Sequence, residues 1–468
     1  VRTGNEEVHD HKRPNDHARD VEGDRSAAEQ LVCGQQQVNP YQDEKANYSI
    51  HYSSFAERPK HLDPVSSYSE NEARFISQIY EPLVQYHYLD RPYRLEALTA
   101  EKVPEPILFG INGKRISDKG QEVLYSVYRI KLKAGIIFQP HPSFAKNSNG
   151  DFLYHNLAQD QIARIKNFAY FTEMGARELT AHDYAYQIKR LAHPKKHSPI
   201  AGLMSKHIVG LGKLKEDLID FSRNDVPIDL KSHKIRGVSV INDYEFEIKI
   251  NGIYPQFKYW LAMNFFAPVP WEAESFFSQR GLKEKNITLD WYPVGTGPYM
   301  LTENNPNRRI ILEKNPNYEP PLRSTMSSGT YKSKPDAVGT VDEAHFILEK
   351  EAIPEWSKFL QGYYDASGIL SDSFDQVVSI NSRGDANLSD DIASKGIRLV
   401  KAIKPSIAYM GFNMTDSTIG GYSQSSNDFF FEINLDSQVP DVIRKYSKGN
   451  QVLIFCPTKK GTEGLCEY

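Results

Sequence analysis

The segment PVGTGPYMLTENNPNRRIILEKNPNY, residues 293–318, sets two glycines around a threonine and continues through proline into an apolar run. A phosphate-binding loop needs glycines that lead into a helix whose free N–H groups meet the anion, usually with Lys and Ser or Thr following. Here Pro298 removes a donor, no such pair follows, and RRIILEKN has strand character. The segment therefore favours a turn between a helix and a strand over a nucleotide site.

Around this segment, two stretches have the marks of amphipathic helices. In SENEARFISQIYEPL (69–83), Ser69 and Glu72 form a capping box ahead of apolar residues at helical spacing. In ELTAHDYAYQIKRLAHP (178–194), Thr180 is the predicted cap, with Asp183 three residues later and an apolar stripe after it. Proline closes both patterns, which predicts a helix in each stretch.

Two other stretches have strand periodicity. In VLYSVYRIKLKAGIIF (123–138), Leu124, Tyr128, Ile130 and Leu132 mostly alternate with polar neighbours, and NDYEFEIKI (242–250) alternates throughout. Helices and strands follow each other irregularly, so the predicted class is α/β or α+β.

The composition excludes several kinds of protein. The 468 residues allow two or three domains, and a net charge of −4 gives no global sign of nucleic-acid binding. Three cysteines far apart predict neither a disulfide framework nor a zinc site. The sequence contains no run of about 18 apolar residues, so it predicts no membrane span. The 27 Tyr and 23 Phe suit a wet recognition cleft and, more commonly, an ordinary core.

No catalytic constellation is visible. Nucleophile-elbow, zinc-protease, Walker A and EF-hand patterns are missing, and His141, His155, His182 and His197 stand singly, which is typical of surface or capping residues. We therefore predict a binding protein without a cofactor or metal rather than an enzyme.

Several runs in order resemble family 5 extracellular solute-binding proteins, the oligopeptide-binding class of bacterial ABC importers: residues 55–93, 179–202, 254–273, 293–318 and 395–416. The resemblance implies an α/β, two-lobed periplasmic-binding-protein-like fold with a solute cleft between the lobes. By position it also implies an incomplete second lobe. The implied parts are a disordered or foreign segment 1–44, a first-lobe subdomain 45–83 plus 235–325, a second subdomain 84–234, a truncated second lobe 326–425 and a foreign segment 426–468.

The same resemblance implies the ligand-binding residues. The loop after Leu-Asp-Pro lines the cleft in the family, which here indicates Tyr68, Ser69 and Glu70. Ile200 stands where the family often has a tyrosine after Ser-Pro, so a hydrogen bond to the ligand is expected to be lost there. Cys33 resembles the lipid-bearing first residue of a mature family lipoprotein.

The last part of the chain departs from this pattern. VPDVIRKYSKGNQVLIFCPTKKG (439–461) resembles a buried strand of the second RecA-like domain of DExH-type helicases. A fusion, or a gene model that joins unrelated exons, would explain both foreign ends. The alternative function is accordingly a helicase-related nucleic-acid-binding fragment.

The predicted function is that of the substrate-binding component of a peptide ABC importer, or a relic of one that truncation has inactivated. Its expected partners are a peptide or another small solute and the importer's membrane subunits, with no nucleic acid, and the chain is expected to be a monomer. The family implies a periplasmic or membrane-anchored location, although residues 1–32 contain no apolar export signal.

Overall fold

The structure is a computed structural model that describes residues 2–3, 49–87, 90, 92–116, 122–222, 228–319, 341–369, 373–381 and 386–400. The chain divides into two compact units, Val1–Ser373 and Phe374–Tyr468. Cys33, most of the segment 1–44 and all of 426–468 lie outside the described residues.

The strands of the first unit belong to two five-stranded sheets and a small hairpin. In chain order they are β1 (Arg2–Thr3), β2 (Ser49–Phe55), β3 (Val84–Tyr86), β4 (Leu95–Ala97), β5 (Pro106–Gly110), β6 (Arg115–Ile116), β7 (Val123–Lys131), β8 (Val238–Asn242), β9 (Glu245–Asn251), β10 (Tyr299–Asn305), β11 (Arg309–Lys314) and β12 (Glu343–Leu348).

This unit also contains eight helices among its described residues. They are α1 (Glu70–Ile79), α2 (Gln159–Arg164), α3 (Ala181–Leu191), α4 (Ala201–His207), α5 (Leu211–Ser222), α6 (Phe257–Trp260), α7 (Trp271–Phe277) and α8 (Ala352–Leu360). Short 3-10 turns occur at Pro142–Phe144, Phe168–Tyr170, Pro194–Lys196, Asn264–Phe266 and Lys283–Lys285. Together with the sheets, they confirm the predicted mixture of helices and strands.

The first sheet has the order β1-β2-β12-β11-β10. Its strands β10 and β11 form an antiparallel hairpin, which confirms that a strand follows the Gly295-Thr296-Gly297 turn. Strand β12 pairs with β11 in antiparallel fashion but with β2 in parallel fashion, from Glu343 opposite Ile50 to Leu348 opposite Phe55. This parallel pair brings together segments that are almost 300 residues apart.

The second sheet has the order β6-β5-β7-β9-β8 and is antiparallel throughout. Phe246, Ile248 and Ile250 of β9 are fully buried as predicted, whereas Tyr244, which was predicted on the same face, precedes the strand and is 36% exposed. In β7, Tyr128 and Ile130 are buried as predicted.

Leu124, however, is 52% exposed although it was assigned to the apolar face of the same strand. It is the second residue of β7, and burial on this face begins only at Ser126.

Both predicted helices form with their predicted caps. The Ser69–Glu72 box begins α1 and the Thr180–Asp183 box begins α3. The buried face of α1, including Phe75 and Ile79, joins one large core with residues of α3 and of both sheets. Burial of these apolar faces is the main force that fixes the helices on the sheets.

The strand pairing can be compared with the predicted subdomain boundaries. Strand β9, which falls in the predicted 45–83 plus 235–325 subdomain, pairs with β7 of the predicted 84–234 subdomain, and β8 pairs with β9. The predicted second lobe is described only at 341–369, 373–381 and 386–400. The subdomain boundaries therefore stay predictions.

The second unit begins with α9 (Phe374–Val377), continues through β13 (Val378–Ile380) and β14 (Ala386–Leu388), and reaches α10 (Asp390–Ser394). The two strands pair in antiparallel fashion, and Val377, Val378 and Ile392 are the buried apolar residues within the described part of this unit.

Candidate functional site

The candidate site is the loop that follows Leu62-Asp63-Pro64 and ends in Tyr68 at the start of α1. Tyr68 is 77% exposed, a high value for an aromatic side chain, and its ring lies 6.4 Å from that of Phe265. Ser69 is partly exposed and Glu70 is exposed. The three residues therefore present their side chains at the surface of the first unit.

A single carboxylate holds the backbone of this loop. Glu72 is buried, and its Oε1 accepts from the N–H groups of Lys60 and His61 at 3.0 and 2.9 Å. Its Oε2 accepts from Tyr68 N at 3.0 Å and Ser69 N at 3.2 Å. Burial by itself would raise the pKa of Glu72, but these hydrogen bonds outweigh it and lower the pKa. The charged carboxylate thus fixes the end of the loop at Tyr68 and the segment just before Leu62.

The start of the loop is held from a second side. Asp290 Oδ1 accepts from the N–H groups of Leu62 and Asp63 at 3.0 and 3.1 Å. Burial, together with the charge of Asp63, raises the pKa of Asp290 above its usual value. Asp63 Oδ1 in turn accepts from Val65 N at 3.1 Å, which closes a tight turn.

Beneath the loop lies a network of charges in which Arg190 and Asp63 are buried and Glu274 and Lys196 are partly exposed. Arg190 of α3 is fully buried, and it donates to Asp63 at 2.9 and 2.6 Å and to Glu274 of α7 at 3.0 and 2.9 Å. Lys196 adds a contact of 2.7 Å to Glu274 and one of 3.6 Å to Asp63.

The cations of this network keep its carboxylates ionised. Burial would raise the pKa of Asp63, but Arg190 and Lys196 outweigh it and lower the pKa. The same balance lowers the pKa of Glu274 to about 2, with Lys196 and then Arg190 opposing burial. The loop is therefore attached to α3 and α7 through charged, hydrogen-bonded groups.

Ile200, the fourth predicted ligand-binding residue, is not part of the Tyr68 loop. It is 4% exposed, precedes α4 as its N-terminal cap residue and packs in the main core. Its side chain therefore contributes packing at this position.

The Gly295-Thr296-Gly297 turn is packed against the end of α1. Gly297 N donates to Ile79 O at 2.8 Å, and Gly295 N donates to Gln139 Oε1 at 3.1 Å. A Cβ on Gly295 would lie 1.9 Å from Ile79 O. Both amides are thus engaged within the protein, and the glycines permit the close approach of two backbones.

Two of the four predicted histidines have structural roles, and His182 and His197 are exposed. His141 caps the Pro142–Phe144 turn through its Nδ1, which accepts from Ser143 N at 3.1 Å and lies 2.8 Å from Ser143 Oγ. It is 3% exposed, and burial lowers its pKa to about 3. His155, predicted to be a surface or capping residue, is buried with its Nε2 bonded to Ser143 O. The serine–histidine contact is thus closed off from substrates.

Within the described ranges, no group of three His, Cys, Asp or Glu side chains could hold a metal ion. In those same ranges, no helix has the length and apolarity required to cross a bilayer.

Sequence reasoning missed the supports of the site. Glu72 was recognised only as a capping residue, and Asp290 and Glu274 carried no signal. Arg190 is a polar residue between the apolar residues Ile188 and Leu191, a pattern that gives no warning of complete burial.

Comparison with known proteins identifies the family. The family model "Bacterial extracellular solute-binding proteins, family 5 Middle" matches residues 175–432, more than half of the chain. The chain belongs to this family, whose members bind solutes and are not enzymes.

Individual relatives match smaller parts. The chain is 30% identical over 154 residues to the periplasmic oligopeptide-binding protein OppA of Salmonella typhimurium, which covers 33% of this chain and 25% of that protein. The solved structure of OppA from Burkholderia pseudomallei is 17% identical with a TM-score of 0.43, and the match covers 71% of this chain and 48% of that one. The chain thus spans a quarter of the curated relative and about half of the solved structure.

The resemblance to helicases corresponds to a shorter sequence match. Over 43 residues the chain is 44% identical to the ATP-dependent DNA helicase homolog MER3 of Arabidopsis thaliana, which is 9% of this chain and 4% of that protein.

Proposed function

We propose that this chain is the substrate-binding component of a peptide ABC importer and that the Tyr68 loop contacts the bound peptide. The observation that carries the proposal is the family match over residues 175–432. The relative from Salmonella, described as an oligopeptide-binding protein, supports a peptide as the solute.

The geometry of the loop suits this function. A binder that accepts many peptide sequences gains most from contacts to the peptide backbone, with wet spaces left for the side chains. Tyr68 offers an apolar ring face and a hydroxyl at an exposed position. Since Glu72 and Asp290 hold the backbone of the loop, little conformational entropy is lost when a ligand binds there.

Calorimetric titration of the full chain with a mixture of short peptides tests this proposal. We expect saturable heat and a thermal shift for the unmodified protein and at least tenfold weaker binding for Tyr68→Ala. Tyr170→Ala is the matched control, because Tyr170 is also exposed and packs edge-on against one phenylalanine, Phe171. Binding that is absent, or equally weakened by both substitutions, would contradict the role of the loop.

The proposed location is the periplasm or the membrane surface on its outer side, and the proposed partners are the membrane subunits of the importer. The name of the Salmonella relative supports a periplasmic location. Labelling with radioactive palmitate in a bacterial host would test lipidation of Cys33, with Cys33→Ser as its control.

The helicase-related alternative is not proposed, because its match covers only 4% of the Arabidopsis protein. ATP hydrolysis stimulated by single-stranded DNA would reverse this ranking.

A further inference from the structure

A second candidate site lies in the first unit, where α3 faces β8 and the segment that leads into it. The pocket has a volume of about 570 Å³, within the usual range for small-molecule sites. Nine of its twelve lining residues form an apolar set and a cationic set, and the other three are His182, Ser239 and Trp271.

The apolar set forms a nonpolar wall. Ala185, Tyr186 and Ile235 are buried, while Val238 and Val240 of β8 are partly exposed towards the pocket. A surface of this kind suits the body of an organic molecule rather than a hydrated inorganic ion.

The cationic set surrounds this wall. Lys189, Lys231, Lys234 and Arg236 all line the pocket. Asp229 attracts Lys189 electrostatically, but the side chains of Lys231, Lys234 and Arg236 form no ion pair with a carboxylate of the described residues. Lys189 Nζ donates to the carbonyl oxygen of Leu230 at 3.1 Å. Like charges gathered at one pocket repel one another, so a bound anion would stabilise this arrangement.

Carboxylates on the neighbouring elements are already engaged. Asp229 Oδ1 accepts from Lys231 N at 3.0 Å and so caps a turn. Glu272 binds Arg177 at 2.6 and 2.7 Å. At the rim, Asp243 lies 3.6 Å from His182, and both side chains are exposed. The pocket itself contains no acidic side chain.

The position of Lys231 leaves its charge available. Its Nζ lies over the ring of Trp271, 3.6 Å from the centroid, which holds the ammonium group at the pocket wall. An ammonium group in a cation–π contact keeps donors free for an anion on its other side.

The backbone that carries Lys234 and Arg236 is held in place. Gly237 O accepts from Lys249 N of β9 at 2.7 Å, and a Cβ on Gly237 would lie 2.4 Å from Val209 O. Because this close approach admits only glycine, the two cationic side chains extend from a segment that is fixed on both sides.

We propose that this pocket binds a small organic anion with two or more carboxylate or phosphate groups on an apolar or aromatic body. The anionic groups would pair with the side chains of Lys231, Lys234 and Arg236, and the body would contact Val238 and Val240. Arginine in particular offers a planar donor pair that matches either group. This site is separate from the Tyr68 loop and does not depend on peptide binding.

Calorimetric titration of the full chain with benzene-1,3,5-tricarboxylate tests the proposal. We expect saturable binding that Lys234→Gln combined with Arg236→Gln weakens about tenfold or more, because charge-assisted contacts are lost. The double variant Lys234→Arg with Arg236→Lys should retain most of the affinity, since it keeps both charges.

Control reagents and variants separate the possible sources of a signal. The neutral analogue benzene-1,3,5-trimethanol should not bind, and the exposed pair Lys102→Gln with Lys131→Gln should leave the affinity unchanged. Inorganic pyrophosphate should bind more weakly than the tricarboxylate, because it lacks a body that contacts the valines.

Four results would overturn the proposal. The first is that the tricarboxylate does not bind, and the second is that both pairs of glutamine substitutions weaken its binding equally. The third is that pyrophosphate binds as tightly as the tricarboxylate. The fourth, with phosphatidylglycerol vesicles as an additional probe, is that the protein binds these vesicles and none of the small anions. The last result would identify the basic surface as one that meets lipid headgroups. A change in peptide binding is not among these readouts, so failure of this proposal leaves that of the Tyr68 loop untouched.

Discussion

Replacing Arg190 with alanine would leave Asp63, beneath the Tyr68 loop, without its main partner and Glu274 with Lys196 alone. Arg190 is fully buried and makes four hydrogen bonds of 2.6 to 3.0 Å to Asp63 and Glu274. A charge that remains buried after its partner is removed costs far more free energy than a lost surface ion pair.

The expected loss of unfolding free energy follows from this geometry. Removing one partner of a buried pair costs about 3 to 5 kcal/mol. Lys196 remains 2.7 Å from Glu274 but 3.6 Å from Asp63, so it compensates the first carboxylate better than the second. We therefore expect the lower part of this range, about 3 kcal/mol, with Asp63 as the main source.

Urea unfolding of the full chain, followed by circular dichroism, measures this loss. The matched control is Arg164→Ala, because Arg164 pairs with Asp160 at 3.4 Å while both side chains are largely exposed. An exposed pair of this kind contributes about 0.5 kcal/mol or less.

The source of the loss can be tested within the same experiment. Adding Asp63→Asn to Arg190→Ala removes the unpaired charge, so the double variant should regain about 1 kcal/mol relative to the single variant. If Arg190→Ala is no more destabilising than Arg164→Ala, or if the added Asp63→Asn lowers stability further, the argument from buried charge is wrong.

Three further predictions concern the turn, the pH dependence and the ligand. Gly295→Ala should destabilise the protein by about 1 to 3 kcal/mol, since its Cβ would meet a carbonyl oxygen at 1.9 Å, whereas Gly202→Ala, which meets nothing within 4 Å in a helix, should be neutral or slightly stabilising in urea unfolding. The pKa of Glu274 is lowered to about 2 in the folded state, so its stabilising contribution is complete above its unfolded pKa and is lost as the pH falls towards 2. The destabilisation caused by Glu274→Gln, measured in urea from pH 6 to pH 2, should therefore shrink with falling pH, and a constant difference would contradict this assignment. Tyr68→Ala should leave the unfolding free energy within about 0.5 kcal/mol, because the ring is 77% exposed, so that reduced peptide binding cannot be ascribed to unfolding.

Part of this fold could be predicted because its signals are local. The capping boxes at Ser69 and Thr180 and the alternation in 245–250 lie within a few residues of the elements they define, and the structure confirms them. Leu124 shows the limit of such patterns, since periodicity assigns a residue to a face but not to the covered part of that face.

The candidate site was predicted less completely. The Tyr68 loop came from the family resemblance, and its exposure agrees with a role at the surface. The groups that hold it come from distant segments, since Asp290 is 227 residues from Asp63 and Arg190 is 127 residues from it. No spacing in the chain marks these pairs.

The sequence by itself determined the family, the caps of the two main helices, the strand after Gly297 and the class of mixed α/β proteins. Only the tertiary structure decided that β12 lies parallel to β2, that Arg190 is buried between two carboxylates and that four cationic side chains share a pocket with β8. The physical reason is the range of the interactions: capping and periodicity act between neighbours in the chain, whereas strand pairing, burial and charge act between groups that only folding brings together.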